Sequence, residues 1–179
     1  MKSVTRVILC VKESAINQVK SFILPFTALF IIPAAILWAT GFKIAWGLGL
    51  PWDAVVVLAG ALLMGNGLYY LFITIWLFNN IGKGTLAPWS PTKKLVILGP
   101  YRYVRNPMIS GVLMTLLGES IAFGSLGIFT WFLLFFIINH IYFIYSEEPG
   151  LTRRFGEEYL IYKKNVPRWI PRLRPWAGH

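Results

Sequence analysis

The chain has 179 residues, of which 56% are hydrophobic and only 13% charged, with a formal net charge of +10. A soluble domain carries roughly 25% charged residues. The composition therefore excludes an ordinary soluble domain and reads as a polytopic membrane protein whose backbone must be helical wherever lipid is the solvent. The basic excess calls for no nucleic acid, because Lys and Arg beside membrane spans follow the positive-inside rule. A single cysteine, Cys10, excludes an internal disulfide and a cysteine-built zinc site, and no metal is expected.

Residues 1–21 form a basic N-terminal interfacial segment, with Lys2, Arg6, Lys12 and Lys20 against Glu13 alone. Val4, Val7, Ile8 and Val11 recur at helical spacing, which predicts a short amphipathic helix on the membrane surface; a frayed basic tail is the alternative. Residues 22–79 hold the first two transmembrane helices. The first, residues 22–41, contains no charge and is long enough to cross roughly 30 Å of hydrocarbon. It reads as a retained span rather than a cleaved signal peptide. Pro25 and Pro33 can kink it. Trp46 and Trp52 suit an interfacial loop. The second span, residues 54–78, carries Ala61 and Gly65 as a small-xxx-small pair for close packing, extended by Gly60 and Gly67. Asn66 lies within it and needs a hydrogen-bond partner.

Residues 80–179 complete the chain. A turn-rich surface loop, residues 79–97, leads to a third helix over residues 108–122, shorter than a comfortable span. Gly111, Thr115 and Gly118 share one of its faces and leave room for a ligand there unless they pack against a neighbour. A tight turn at residues 123–127 precedes a fourth span, residues 128–146. Beyond it, Leu151, Phe155, Tyr159 and Tyr162 recur at three- and four-residue steps and give an amphipathic tail helix. Its acidic residues come first and its lysines last, matching the helix dipole. Pro167 and Pro171 end it, and Trp169 and Trp176 read as interface anchors. The expected fold is an all-α bundle of about four transmembrane helices with a C-terminal cytoplasmic amphipathic lid. The segments before span one, between spans two and three, and after span four hold 4, 5 and 7 basic residues, and the two opposite loops hold only Lys43. Both termini are therefore expected in the cytoplasm.

Two stretches carry candidate chemistry. The first is LGPYRYVRNPMISG, residues 98–111. Gly99 and Pro100 make a turn, and Tyr101, Arg102, Tyr103 and Arg105 follow. Pro107 then opens a helix at a position where proline is welcome, and the free N–H groups of that helix start can face an anion. Arg105 can clamp a carboxylate or phosphate bidentately or simply snorkel to lipid headgroups. The second is the acidic pair Glu147 and Glu148 at the exit of the fourth span. These carboxylates can pair with Arg105, Arg102, Arg153 or Arg154, accept from ribose or amine groups, or act as a base. A structural ion pair that locks the tail beneath the bundle is the alternative. His140 projects near the face of Glu147, as a functional group or a hydrogen-bonding partner. Glu119 reads as reaching the opposite interface.

GPYRYVRNPMISG, then an apolar hairpin, then EEP and FGEEYLIYKKNVPRWIPR, resembles the isoprenylcysteine carboxyl methyltransferase and phospholipid methyltransferase superfamily over roughly residues 80–174. The resemblance implies an integral membrane methyltransferase using S-adenosylmethionine. It places the cofactor near the cytoplasmic face, held by Arg105, Asn106, Pro107, Glu147 and Glu148, with Gly99, Pro100 and Tyr101 leading in. Arg105, Glu147 and Glu148 are the implied catalytic residues. The methyl acceptor is a lipid or other amphiphile entering from the bilayer, and the reaction is in-line displacement at the sulfonium methyl. The chain departs from the pattern at Asn106, where members often have His, and at Ile109, where many have Tyr. Two alternatives stand beside this one. One is an NADPH-dependent membrane reductase of the sterol reductase type, although Val112 follows RNPMISG where a Gly-Glu step is usual. The other is a non-catalytic membrane scaffold.

Overall fold

A computed structural model of the chain describes residues 23, 25–41, 46–77 and 95–178. The expected N-terminal surface helix, Cys10, Lys43 and most of the expected loop 79–97 lie outside them. The described residues form helices and turns, with no strand among them. A π-helical turn, Thr27–Ile31, runs into α1, Ile32–Thr40; α2 is Trp52–Leu77; α3 is Pro107–Ala122; α4 is Leu126–Tyr142. After α4 the chain winds through a second π-turn, Phe143–Glu147, into α5, Glu148–Phe155, and α6 follows at Glu157–Asn165.

Apolar residues surround these helices rather than forming a single stripe. Trp38, Leu58, Leu62, Phe72 and Ile138 are all exposed. A helix that is apolar all round belongs in a core or in lipid. Trp52–Leu77 and Leu126–Phe155 are each long and apolar enough to cross a membrane, whereas Thr27–Thr40 and Pro107–Ala122 are shorter apolar helices. Among the described residues, two of the four expected spans thus reach full length. The sixteen residues of α3 rise only about 24 Å, short of the hydrocarbon thickness. The helix of the expected fourth span continues past residue 146, through its π-turn to Phe155.

Helices α2 and α3 share the most extensive packing, and glycine makes it possible. A Cβ on Gly67 would lie 2.6 Å from the Gly111 carbonyl oxygen and 2.6 Å from the Thr115 nitrogen; one on Gly118 would lie 2.6 Å from the Gly60 carbonyl oxygen. The contact face is therefore Gly60 and Gly67 against Gly111, Thr115 and Gly118. This corrects two expectations. Ala61 is exposed and Gly65 has nothing within 4 Å of a would-be Cβ, so that pair is not the contact. The small face of α3 is filled by α2 and offers no ligand space. Asn66, too, is exposed, and it donates to the Leu62 carbonyl of its own helix. A helical period of 3.6 puts Gly60 and Gly67 on one face and turns Ala61 about 100° away from Gly60.

The first helix docks on the α3–α4 hairpin. Leu29, Val112 and Leu116 form a buried cluster with Leu71, Trp131, Phe132 and Phe135 around it. The Trp131 indole donates to the Ala28 carbonyl at 3.0 Å, which lies in the π-turn where the regular hydrogen-bond ladder is shifted. At the far end of the bundle, the Trp46 indole donates to Ile121 O at 3.0 Å. Asp53 accepts the backbone N–H groups of Trp46, Leu48 and Gly49 and satisfies donors left over before α2 begins. Glu119, expected to reach the opposite interface, is only 5% exposed and is covered by the protein.

Candidate active site

Three pieces of chain meet at one end of the bundle: the end of α2, the start of α3 and the exit of α4. Gly99 joins the first two. Its φ is 55°, a conformation that favours glycine, and a Cβ there would lie 2.9 Å from Leu77 Cδ1, the movable end of a side chain. Pro100 follows inside a single 3₁₀ turn, Gly99–Arg102. Asn106 then stands at the N-cap of α3 with no side-chain cap bond, and Pro107 takes the first helical position. The amides of Met108 and Ile109 are accordingly left without intrahelical acceptors.

The tail returns to this motif and is stitched to it. Arg105 N donates to Pro167 O at 2.9 Å, Arg172 N to Tyr103 O at 3.0 Å, and Trp176 N to Arg102 O at 2.9 Å. The Arg102 guanidinium donates to Trp176 O at 2.7 Å, and the Tyr162 hydroxyl to Tyr101 O at 2.7 Å. Beneath this strap Tyr159, Tyr162 and Val166 are buried with Leu95, Ile97, Leu151, Phe155 and Trp176 around them. The expected apolar face of the tail is thus present, but as two helices. Gly156, at φ 54°, breaks them.

Glu148 is the hub. It is 4% exposed. Its Oε1 meets Arg105 Nη1 at 2.9 Å and Arg168 Nε at 2.6 Å, and its Oε2 meets Lys163 Nζ at 2.9 Å. One carboxylate thus holds the motif, the end of α6 and the strap together. Among the partners expected from sequence, Arg105 is correct. Arg102 instead bonds a tail carbonyl, and Arg154 donates to Gly150 O and lies over the Phe155 ring. Lys163 and Arg168 were missed, because nothing in their spacing from Glu148 marks them. Only the fold, turning at Gly156 and again after Asn165, brings them back.

Burial opposes ionisation of Glu148, which lies beyond the apolar stretch of α4. The hydrogen bonds from Arg168 and Lys163 and the charge of Arg105 outweigh that effect and hold its carboxyl below the usual range. The folded value lies below the unfolded one, so Glu148 stabilises the fold fully above about pH 4.5 and loses that contribution as pH falls through the depressed folded value. Wild-type melting temperature should therefore be flat from neutral pH to about pH 5 and fall below it, and Glu148→Gln should flatten the acid limb. An unchanged acid limb in that variant would assign the loss to other carboxyls.

Glu147 differs. It is half-buried, and the Tyr142 hydroxyl donates to its Oε2 at 3.4 Å. Burial and the charge of Glu147 together push the Tyr101 phenol above its ordinary value, so Tyr101 stays a neutral donor beside that carboxylate. The Arg105 side chain is only 10% exposed. Its Nη1 faces Glu148 and the Tyr159 hydroxyl, but its Nε, like Ser110 Oγ, is buried with no hydrogen-bond partner among the described residues. A buried guanidinium N–H left unmet is costly. The eight residues singled out from the sequence therefore divide in three. Gly99, Pro100 and Pro107 shape the backbone. Arg105 and Glu148 form a buried ion pair. Tyr101, Asn106 and Glu147 keep polar groups near it. His140 is a hydrogen-bonding partner, since its Nδ1 accepts from the Trp169 indole at 2.9 Å.

The phospholipid methyltransferase family model matches residues 55–158, more than half of the chain and including Arg105, Glu147 and Glu148. A search of curated proteins found no match.

Proposed function

Because the chain belongs to the phospholipid methyltransferase family, we propose that it is an integral membrane methyltransferase that uses S-adenosylmethionine and methylates an amphiphilic acceptor at the cytoplasmic face. The observation that carries this reading is the buried, unpartnered Nε of Arg105, beside a helix start and an acidic pair. S-adenosylmethionine offers a carboxylate, an ammonium and ribose hydroxyls, and the residues present fit those groups. Arg105 Nε and the free amides of Met108 and Ile109 suit the carboxylate. Glu147 and Asn106 suit the hydroxyls and the ammonium. Bound there, S-adenosylmethionine supplies an electrophilic methyl group.

The chain's own residues do the rest. Glu148 is spent on three cations, so its part is to fix Arg105 rather than to touch the reacting atoms. Tyr159, Tyr162 and the strap cover the motif and keep water out, and rate enhancement comes chiefly from orientation. An acceptor carboxylate needs no base. An acceptor ammonium must first lose a proton, and Glu147 is positioned to take it. The acceptor's apolar part has no room along α3. A cleft of about 750 Å³ between the first helix and α2, walled by Phe26, Phe30, Leu68, Leu71, Phe72 and Ile75, suits an acyl chain. The cytoplasmic orientation rests on the distribution of Lys and Arg along the chain.

Titration of S-adenosylmethionine into the purified full-length protein in nanodiscs tests this. Wild type should bind, and Arg105→Ala should bind ten- to hundredfold more weakly, the cost of about 1.5–3 kcal/mol for one charge-assisted hydrogen bond. Binding of NADPH in place of S-adenosylmethionine would establish the reductase reading. Binding of neither would establish the scaffold.

A further inference from the structure

The strap that closes over the motif carries side chains that nothing in the protein covers. Leu173 is 100% exposed and Ile170 is 79% exposed. They stand among Arg168, Pro171, Arg172, Arg174 and Pro175, beyond the residues that match the family. The two tryptophans expected to anchor this stretch in the interface are half-buried against neighbouring rings. Trp169 packs against Phe136, His140 and Phe143 of the α4 helix and its π-turn, and Trp176 packs on Tyr162.

The position of Trp169 fixes the depth of its neighbours. Its indole bonds His140, which lies seven residues, or about 10 Å of helix rise, on the apolar side of Glu147. On the same helix Leu133, Leu134, Ile137, Ile138 and Ile141 are exposed, as a lipid-facing surface must be. A residue next to Trp169 in the chain therefore emerges where that surface meets the polar end of the bundle. Ile170 is that residue, and Leu173 follows three positions on. Apolar side chains at this level among arginines match the chemistry of an anionic bilayer surface, where aliphatic groups enter the acyl boundary and guanidinium groups meet phosphates.

We propose that residues 167–176 form a bilayer-docking strap, with Ile170 and Leu173 inserted among the lipids and the exposed Arg174 set against anionic headgroups. The same residues are hydrogen-bonded through their backbone to Arg102, Tyr103 and Arg105. Lipid composition at this face thus bears directly on the order of the motif, whatever reaction the motif serves.

A nitroxide on Leu173→Cys, in full-length protein carrying Cys10→Ser and placed in nanodiscs, tests the docking. Leu173 makes no contact that its replacement would break. Glu157→Cys, an exposed position on α6, is the aqueous reference. Power saturation compares collisions with oxygen, which concentrates in lipid, and with a neutral nickel complex, which stays in water. At Leu173→Cys oxygen access should exceed nickel access severalfold, with the reverse at Glu157→Cys, and Ile170→Cys should follow Leu173→Cys. The excess should grow when phosphatidylglycerol is added to phosphatidylcholine and shrink in Arg174→Gln. Nickel access at Leu173→Cys equal to that at Glu157→Cys would overturn the proposal by placing the strap in water. Low access to both reagents would overturn it by showing a protein surface over the patch. An oxygen excess indifferent to phosphatidylglycerol would overturn the role of Arg174.

Discussion

Glu148→Gln is expected to destabilise the protein by about 3–5 kcal/mol, the usual cost of removing one partner from a buried ion pair. The substitution keeps the side chain's volume and leaves an amide oxygen that can still accept from Arg105 and Arg168, which share Oε1, while its NH2 group faces Lys163. It does not keep the charge. Arg105 and Arg168, with side chains 10% and 20% exposed, would then sit beside each other and Lys163 with no anion between them. Repulsion among these cations separates the strap from the motif, and the Arg105 guanidinium loses the contact that fixes its orientation. Cofactor affinity should fall along with stability. Lys163→Met supplies the comparison. That side chain is 41% exposed, so water screens its pair and its loss should cost no more than about 1 kcal/mol. Both variants can be unfolded in the same detergent, with tryptophan fluorescence as the probe, because Trp169 and Trp176 lie in the strap itself. If Glu148→Gln proves no more harmful than Lys163→Met, the cluster is solvent-screened and Glu148 does not organise the site.

The sequence reveals local features of this molecule and hides those that depend on long-range return of the chain. Helix bounds for α2 and α3 are legible within two residues, because uninterrupted apolar runs and Pro107 mark them. The meeting of Arg105 with Glu148 is legible as well, since an apolar hairpin between two polar motifs must bring its ends together. Lys163 and Arg168 are not, because they reach Glu148 through a break at Gly156 and a chain reversal that no periodicity encodes. The π-turn at Phe143–Glu147 is also invisible in the pattern. It continues the helix past the acidic pair, so that Glu147 faces Tyr142 and Glu148 faces the cations. Trp169 and Trp176 look from composition like interfacial anchors, since aromatic residues after a span so often are. In the fold both are half-buried and pack against neighbouring rings, and the exposed aliphatic residues beside them take the outward positions. At Ala61 and Gly65 the small-residue spacing is correct in kind and wrong in face, because four small residues lie within eight positions and the spacing rule alone does not choose among them.

Gly67→Ala is therefore expected to be damaging and Gly65→Ala harmless, although both add the same methyl group to the same helix. At Gly67 the new Cβ would lie 2.6 Å from the backbone of α3 at both Gly111 and Thr115. Neither backbone atom can swing aside as a side-chain end could, so α2 and α3 must separate. Overpacking of this kind costs about 1–3 kcal/mol. At Gly65 the methyl meets nothing within 4 Å, and alanine's better helix propensity contributes up to about 1 kcal/mol in the opposite direction. The consequence reaches the site. Helix α3 begins one residue after Asn106, and α2 ends against Gly99 through Leu77, so a shift between the helices alters the spacing of the motif from both sides. Gly67→Ala should weaken S-adenosylmethionine binding as well as lower the melting temperature. Gly60→Ala, whose Cβ would lie 2.7 Å from Gly118 O and Ala122 N at the far end of α3, should lower the melting temperature with a smaller effect on binding. The double variant should cost less than the sum, because one separation of the helices relieves both clashes. Equal melting temperatures for Gly65→Ala and Gly67→Ala would mean that α2 and α3 do not pack through this face.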